Sequence, residues 1–378
     1  MKAIMDPINA KDHHTFTMLI HQAIDTCNQC IFKFNERKVI IELLVRLQEF
    51  RKYYSYNDSS LSNILDEIDK RLQDSHLSQL SLDFLQEKLR IEKLYLGPCH
   101  ADIASTLYRI GQVYAENEQA IQASEYFLEA LFLLKERNKK GEILALTLFN
   151  LGLIQYKSSP VDAMKIFHCS IKAKEDALGE FHPTVAEMHL TIGRLQLQTG
   201  MRDNAMHTFL QALMILRMSN GNNSEKVGEI LYHIGLCHKE RSEYIEALNS
   251  LYQSMEIAKQ FQCKETIIMI LHKISLVYQC MKDYGNAINI TEEMIDVIKQ
   301  EQGENNICVA VVLGHLCSLY AKQGMMEESE KVLQDIDTVC TMHGQTPSSN
   351  NNSFAEFIIG LFGYVMEDNS SIIVPVAA

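Results

Sequence analysis

Large and small apolar residues recur in a fixed order along most of this chain. In residues 104–136, large apolar residues surround a small one, and two alanines then flank a phenylalanine. These positions are Leu107, Ile110, Gly111, Tyr114, Ala123, Phe127 and Ala130. Spacings of three and four residues place each set on one helix face. The pattern therefore predicts two amphipathic helices joined by a short turn.

Two rows of small residues repeat with this hairpin. The first row, at intervals of 41, 41, 42, 40 and 42 residues, is Gly111, Gly152, Gly193, Gly235, Ser275 and Cys317. The second row follows twelve residues later, or eleven in the second repeat, and is Ala123, Ala163, Ala205, Ala247, Ala287 and Ser329. Small residues let helix backbones approach closely, so we expect the two helices to cross there. Large residues fill the neighbouring space at Phe127, Phe167, Phe209, Leu251 and Leu333, whereas Thr291 in the fifth repeat predicts looser packing.

The order of residues within each repeat is the signature of the tetratricopeptide repeat, whose standard unit has 34 residues; the units here are about eight residues longer. The connectors at residues 96–100 (LGPCH) and 178–183 (LGEFHP) resemble those of the kinesin light chain type. There, a leucine and glycine end one unit and a histidine and proline open the next. The glycine would supply a left-handed cap and the proline would begin a helix. The resemblance implies an all-α, right-handed superhelical solenoid of helix hairpins.

The chain divides into four segments on this interpretation. Residues 1–58 form an N-terminal helical segment, residues 59–100 a degenerate capping repeat, and residues 101–344 six tetratricopeptide-like repeats. Residues 345–378 contain a linker and an apolar helix or tail. Terminal repeats of such arrays are usually atypical, because they must present a polar outer face. We expect the apolar run at 354–366 to form a capping helix, with self-association or partner binding as the alternative.

Composition narrows the classes of partner. A net charge of −13 argues against nucleic acid or an anionic membrane surface, since both require a surplus of lysine and arginine. The N-terminus lacks the apolar run of a signal peptide, and no stretch approaches the roughly 18 apolar residues of a membrane span. We therefore expect a cytoplasmic protein. The ten cysteines lie mostly in helical patterns, which predicts reduced thiols.

Four common catalytic and phosphate-binding motifs are missing from the sequence. A phosphate-binding loop, a zinc-protease motif, a kinase motif set and a nucleophile elbow are not found. Cys27 and Cys30 form a lone CxxC, which we interpret as structural packing, with a metal site as the alternative. We therefore expect neither an enzyme nor a bound metal or cofactor.

The surface best suited to binding is the concave wall formed by the first helix of each repeat. The residues predicted to line it are Tyr108, Arg109, Asn150, Arg194, Tyr232, His233, His272, Lys273 and His315, with Lys239 further along. This row contains no acidic side chain in a protein that is acidic overall. Asn150 and Arg194 could donate hydrogen bonds to the backbone of an extended peptide, while the cations favour acidic side chains. The alternative is an ordinary surface without a ligand.

Two functions fit this pattern. The kinesin light chain resemblance implies an adaptor or scaffold, because those proteins bind cargo-adaptor peptides on this wall with prominent asparagines, and Asn150 matches such a position. Alternatively, a short N-terminal bundle followed by long repeats resembles bacterial peptide-sensing regulators. In that case a peptide would act as a switch, and the N-terminal bundle would engage a protein target.

Overall fold

The computed structural model describes residues 78–342, apart from 99, 101–102, 137–140, 221–223 and 304–306. Every regular element within these residues is an α-helix. The thirteen helices are α1 (Ser78–Leu96), α2 (Ile103–Glu116), α3 (Ala120–Glu136), α4 (Glu142–Tyr156), α5 (Pro160–Leu178), α6 (Pro183–Gln198), α7 (Arg202–Asn220), α8 (Glu225–Glu240), α9 (Tyr244–Gln260), α10 (Lys264–Cys280), α11 (Tyr284–Gln302), α12 (Ile307–Gln323) and α13 (Met326–Met342). The predictions for residues 1–58, for the CxxC motif and for residues 345–378 lie outside the described residues.

The helices from α2 onward form six hairpins, α2–α3 to α12–α13. One compact unit ends at Glu180 and contains α1 to α5; the other begins at Phe181 and contains α6 to α13. Within each unit, the second helix of one hairpin packs against the first helix of the next. First helices of neighbouring hairpins also touch, α2 with α4, α6 with α8 and α8 with α10. The predicted all-α stack of helical hairpins is confirmed.

Helix α1 occupies the place of the second helix in the predicted degenerate repeat. It buries Phe84, Leu85 and Leu89 in one apolar cluster with Leu107 of α2. The apolar face of the first hairpin is thereby covered on the side that precedes it in the chain.

The predicted close crossing is present in the first four hairpins. A Cβ atom added at Gly111, Gly152 or Gly193 would lie 2.5–2.6 Å from the ring of Phe127, Phe167 or Phe209, respectively. In the fourth hairpin, a Cβ atom at Gly235 would lie 2.8 Å from Leu251. Real Cβ atoms do not approach other heavy atoms this closely, so each glycine is required by the large side chain that faces it.

The last two hairpins build the same crossing from hydrogen-bonding residues. The hydroxyls of Ser275 and Thr291 are 3.0 Å apart, and Thr291 also donates to the Ala287 carbonyl oxygen at 2.8 Å. In the sixth hairpin, Cys317 Sγ and Ser329 Oγ are 3.1 Å apart. Thr291 is fully buried. It is smaller than the phenylalanine or leucine of the first four hairpins, and Ser275, which is larger than the glycine of those hairpins, compensates for the difference. The expected looser packing is thus replaced by a bonded contact.

The turn inside each hairpin also repeats. Seven residues after the small residue, the backbone takes a positive φ in five hairpins, at Glu118, Gly200, Ser242, Lys282 and Gly324. The φ angles range from 60° to 85°. The α4–α5 turn lacks this feature, and the equivalent Ser159 has a φ of −145°. That hairpin has the shorter interval of eleven residues, so the deletion removes the left-handed turn residue.

The connector at 178–183 caps the helices on each side of it. Gly179 ends α5 with φ of 95° and ψ of 151°, a positive φ as predicted but with a ψ outside the left-handed helical region. Pro183 begins α6, and Nδ1 of His182 accepts a hydrogen bond from the Thr184 amide at 3.3 Å. His182 is therefore the N-terminal capping residue of α6.

The crossing makes a sharp prediction about Gly193. We expect Gly193→Ala to lower the free energy of unfolding by about 1–3 kcal/mol, because the new methyl group overlaps Phe209. Gly314→Ala is the matched control in helix α12, since a Cβ there meets nothing within 4 Å; it should stabilise by up to about 1 kcal/mol. Urea denaturation measures both. Equal effects of the two substitutions would contradict the crossing.

The left-handed turns predict a stabilising substitution. Lys282 is exposed and adopts a φ of 62°, a conformation in which glycine has no steric penalty. Lys282→Gly should raise the unfolding free energy by about 1 kcal/mol. Gln253→Gly, on the exposed face of α9, should lower it by about 1 kcal/mol. Thermal and urea melts of both variants test the opposite signs, and a loss of stability in both would contradict the turn geometry.

Candidate functional site

The nine predicted wall residues divide by burial. Tyr108, Tyr232, His272 and His315 are buried, with exposures of 6%, 8%, 0% and 8%. Arg109, Asn150, Arg194, His233 and Lys273 are partly or fully exposed, and they are called the open wall set below. The buried four lie in the packed part of the first helices, so they support the surface rather than form it. A ligand on either unit would meet the open wall set.

Helices α2 and α4 carry two residues of this set, in the first unit. Asn150 Nδ2 donates to the Tyr108 hydroxyl at 3.2 Å and to the Leu146 carbonyl oxygen at 3.1 Å. Burial raises the pKa of Tyr108, which keeps its hydroxyl protonated. Arg109 donates to Gln112 Oε1 at 2.6 Å. Both amide protons of Asn150 are thus engaged, and its Oδ1 is the atom placed to accept a bond from a ligand N–H.

Arg194 and His233 face each other from α6 and α8 in the second unit. Arg194 has a side chain 54% exposed, and its guanidinium lies 3.5 Å from Glu229 Oε1. The His233 ring stacks on Phe209 with centroids 5.2 Å apart and planes 9° apart. Burial, together with the charge of Arg194, lowers the pKa of His233 to about 4. His233 is therefore a neutral, flat surface beside a cation at neutral pH.

Glu229 is a charged neighbour of the predicted wall that the sequence pattern missed. It lies four residues before His233 and on the same face of α8, with its side chain 42% exposed. The predicted row contained no acidic residue because it considered mainly two positions of each first helix, and Glu229 lies outside those positions. The carboxylate of Glu229 offsets part of the charge of Arg194, so this part of the wall is less basic than the sequence suggested.

Lys273 of α10 has a different environment. Its side chain is partly buried, and no carboxylate in the described part of the chain lies within ion-pair distance of it. Burial, and then the like charge of Lys239, lower the pKa of Lys273. His272 beside it is fully buried, and burial together with these lysines and His315 lowers its pKa to about 2. Lys273 is therefore a partly desolvated cation next to the neutral side chain of His272.

A chain of hydrogen bonds links the edge of α12 to the core of the fifth hairpin. Lys322 Nζ donates to Gln279 Oε1 at 3.4 Å, and Gln279 Nε2 donates to His315 Nε2 at 3.2 Å. His315 Nε2 also lies 3.4 Å from the Ser275 hydroxyl. Burial lowers the pKa of His315 to about 4, which agrees with an unprotonated Nε2 that accepts. The sequence pattern omitted Gln279 and Lys322, which lie about two helical turns beyond the predicted row.

Charge is segregated between the two kinds of helix in the last two hairpins. The first helices, α10 and α12, carry Lys264, Glu265, Lys273 and Lys322 as their only charged residues. The second helices, α11 and α13, carry nine acidic and two basic residues. Beyond Glu265, neither first helix contains a carboxylate. The negative charge of this region is thus placed on the second helices, away from Lys273.

Two other kinds of site are absent from the part of the chain that the structure describes. No group of three or more histidine, cysteine, aspartate or glutamate side chains there could hold a metal ion. None of the described helices is long and apolar enough to cross a membrane. The chemistry available at the open wall set is therefore hydrogen bonding, ring contact and ion pairing.

Comparison with known proteins identifies the fold but no family. No protein family matches the sequence, and no curated protein does. Among solved structures, a Signal Transduction ATPase with Numerous Domains from Pyrococcus horikoshii, with a tetratricopeptide repeat sensor, is 13% identical, at a TM-score of 0.60. The match covers 97% of this chain and 52% of that one, so this chain spans about half of its length.

Two further similar structures are BtubC (BKLC) from P. vanneervenii and the apo quorum sensor NprR from B. thuringiensis, each 15% identical at a TM-score of 0.49. The first match covers 62% of this chain and 95% of that one; the second covers 86% and 99%. The Pyrococcus match shows the fold, and the predicted tetratricopeptide architecture is confirmed. The kinesin light chain type continues to rest on the connectors and on the length of the repeats.

A buried histidine on α6 predicts how stability depends on pH. His189 is 8% exposed and occupies a position that is leucine in α2, α8, α10 and α12. Burial, and then the charge of His207, lower the pKa of His189 from 6.5 to about 4. Between these values, the unfolded chain takes up a proton that the folded chain does not, so stability falls as the pH drops below 6.5.

We therefore expect His189→Leu to reduce the loss of unfolding free energy between pH 7 and pH 5 by about 2 kcal/mol. Urea denaturation at the two pH values provides the measurement. His189→Gln is the control for packing, because glutamine does not titrate but remains polar. It should flatten the pH dependence to the same extent, whatever its stability at pH 7. A variant that kept the parent pH dependence would contradict the buried neutral state.

Proposed function

We propose that this chain is a non-enzymatic interaction module that binds extended peptide segments of partner proteins on its open wall set. The observation that carries the proposal is Lys273, a partly buried cation with no carboxylate partner in the described part of the chain. Holding such a cation costs desolvation free energy, and an acidic ligand would recover part of it. Its neighbours on α10 and α12 supply no negative charge to do so.

The first unit supports recognition of a peptide backbone. Asn150 is held in one orientation by Tyr108 and by a backbone carbonyl, so its Oδ1 is pre-organised to accept a peptide N–H. This replaces the expected donor role of Asn150, because its amide group already donates to Tyr108 and to Leu146. Backbone contacts supply affinity without sequence preference, while cations such as Lys273 select acidic side chains.

The comparisons support an interaction role only through the fold. The Pyrococcus protein, which shares the fold, has a tetratricopeptide repeat sensor. An excess of negative charge over the whole chain also disfavours nucleic acid as the partner. Protein segments remain the partner class that suits the wall.

The adaptor and the regulatory switch differ in what binding does to the chain. An adaptor binds a peptide without changing its own dimensions, whereas a switch changes conformation to act on a second protein. Small-angle scattering of the full chain with and without a saturating acidic peptide separates them. An unchanged radius of gyration favours the adaptor, and a reproducible decrease favours the switch.

Charge reversal tests the proposed wall. Lys273→Glu should weaken the binding of a degenerate pool of acidic nonapeptides by at least about tenfold, which corresponds to about 1.4 kcal/mol. The reason is that an attractive contact becomes a repulsive one in a partly desolvated place. Fluorescence anisotropy with a labelled pool measures the dissociation constant, and far-ultraviolet circular dichroism verifies that the variant is folded.

The matched control is Lys331→Glu, an exposed substitution on α13 that makes the same change in net charge. It should change binding less than twofold, because exposed charges away from the ligand act through screened, long-range terms. Equal weakening by both variants would assign the effect to net charge and would contradict a binding wall. Binding unaffected by Lys273→Glu would remove the wall as the site.

A further inference from the structure

Two lysines meet on the second unit where helices α8 and α10 pack against each other. Lys273 of α10 is partly buried and has no ion pair among the described residues. Lys239 of α8 has a side chain only 24% exposed, and its Nζ lies 3.6 Å from Glu240 Oε1. Lys239 and Lys273 occupy the repeat positions of Gln279 and His315, four residues after and two residues before the small residue, and those two side chains lie 3.2 Å apart between α10 and α12. The like charges of the two lysines repel, which contributes to the lowered pKa of Lys273.

The carboxylate of Glu240 does not balance both lysines. Its other oxygen is engaged by Arg202, whose guanidinium lies 3.2 Å from Glu240 Oε2. Lys239 and Arg202 therefore share one carboxylate, and Lys273 is not within ion-pair distance of it. Among the described residues, Lys239 thus has one shared carboxylate beside it and Lys273 has none, so the pair is short of negative charge.

The groups around the pair cannot supply that charge. His272 is buried and neutral, and the polar atoms of Gln279 are engaged by Lys322 and His315. Beyond Glu265, helices α10 and α12 contain no carboxylate. The carboxylate of Glu243, at the α8–α9 turn, is engaged by His238 and Arg241. An anionic ligand would therefore supply negative charge that these neighbours do not.

We infer that Lys239 and Lys273 form a subsite for a doubly charged anion, the phosphoryl group of a phosphorylated side chain in a peptide bound on the wall. This inference rests on the proposed function. A phosphate monoester carries about 1.5 to 2 negative charges at pH 7 and offers three acceptor oxygens, so it can bridge two ammonium groups. A carboxylate carries one charge and would leave one lysine unbalanced. Lysine binds phosphate as a point charge, which needs no planar geometry.

Three peptide pools test the subsite with the full chain. The pools are degenerate nonapeptides with a central serine, phosphoserine or aspartate, each labelled for fluorescence anisotropy. We expect the phosphoserine pool to bind about tenfold more tightly than the aspartate pool, since one or more additional charge-assisted hydrogen bonds form. Lys239→Met and Lys273→Met should each reduce this ratio to below about threefold. Lys331→Met, remote on α13, should leave the ratio unchanged.

A second measurement does not depend on any peptide. The lysines of the full chain are reductively methylated with ¹³C, which keeps their charge, and the Lys273 signal is assigned by its loss in Lys273→Arg. Inorganic phosphate should raise the lowered pKa of Lys273, because a bound anion stabilises the ammonium form. Acetate at the same ionic strength should not. An equal response to both anions would overturn the subsite.

The two ideas fail in different ways. Should the aspartate pool bind as tightly as the phosphoserine pool, the phosphoryl subsite is wrong and the peptide wall stands. Should none of the pools bind, the peptide wall is wrong, and the phosphate titration alone decides whether the lysine pair binds anions. A ratio that survives in both methionine variants would place phosphate recognition elsewhere.

Discussion

The close crossing of two helices at one small residue is the contact on which every hairpin depends. Where the residue is glycine, a phenylalanine or leucine fills the space that its missing side chain leaves, as Gly111 and Phe127 show. Where it is Ser275, a threonine faces it and a hydrogen bond joins the two. Both solutions balance volume and polarity across the contact. The crossing thereby sets which face of the first helix meets the second helix of the same hairpin.

The polar crossings have a cost that the apolar ones do not. Buried hydroxyls and histidines must be paired or neutral, and the lowered pKa values of His272 and His315 express that constraint. The chain from Lys322 through Gln279 to His315 and Ser275 satisfies several of these groups at once. It also ties the edge of α12 to the core of the fifth hairpin. Substitutions at this edge would therefore affect the core of the fifth hairpin.

Sequence reasoning recovered the parts of the structure that depend on local spacing. The rows of small residues, the pairing of Gly193 with Phe209 and the start of α6 at Pro183 follow from intervals along one chain segment. The burial of Tyr108 and His272 did not follow, because it is decided by the neighbouring hairpin. The partner of Arg194 was missed for the same reason, since Glu229 lies on the next helix. The wall could thus be placed on its helices, but its open part could not be separated from its buried part.

Overall charge and local charge are separate properties in this chain. A net charge of −13 describes the whole molecule, yet exposed charges more than about 8–10 Å apart are largely screened at physiological salt. The acidic residues of α11 and α13 therefore act mainly on their own surface. Lys239 and Lys273 act on theirs, and burial strengthens their effect by reducing the screening. An acidic protein can in this way present a binding surface for anions, because the sign of the potential at a ligand is set by the groups within one screening length.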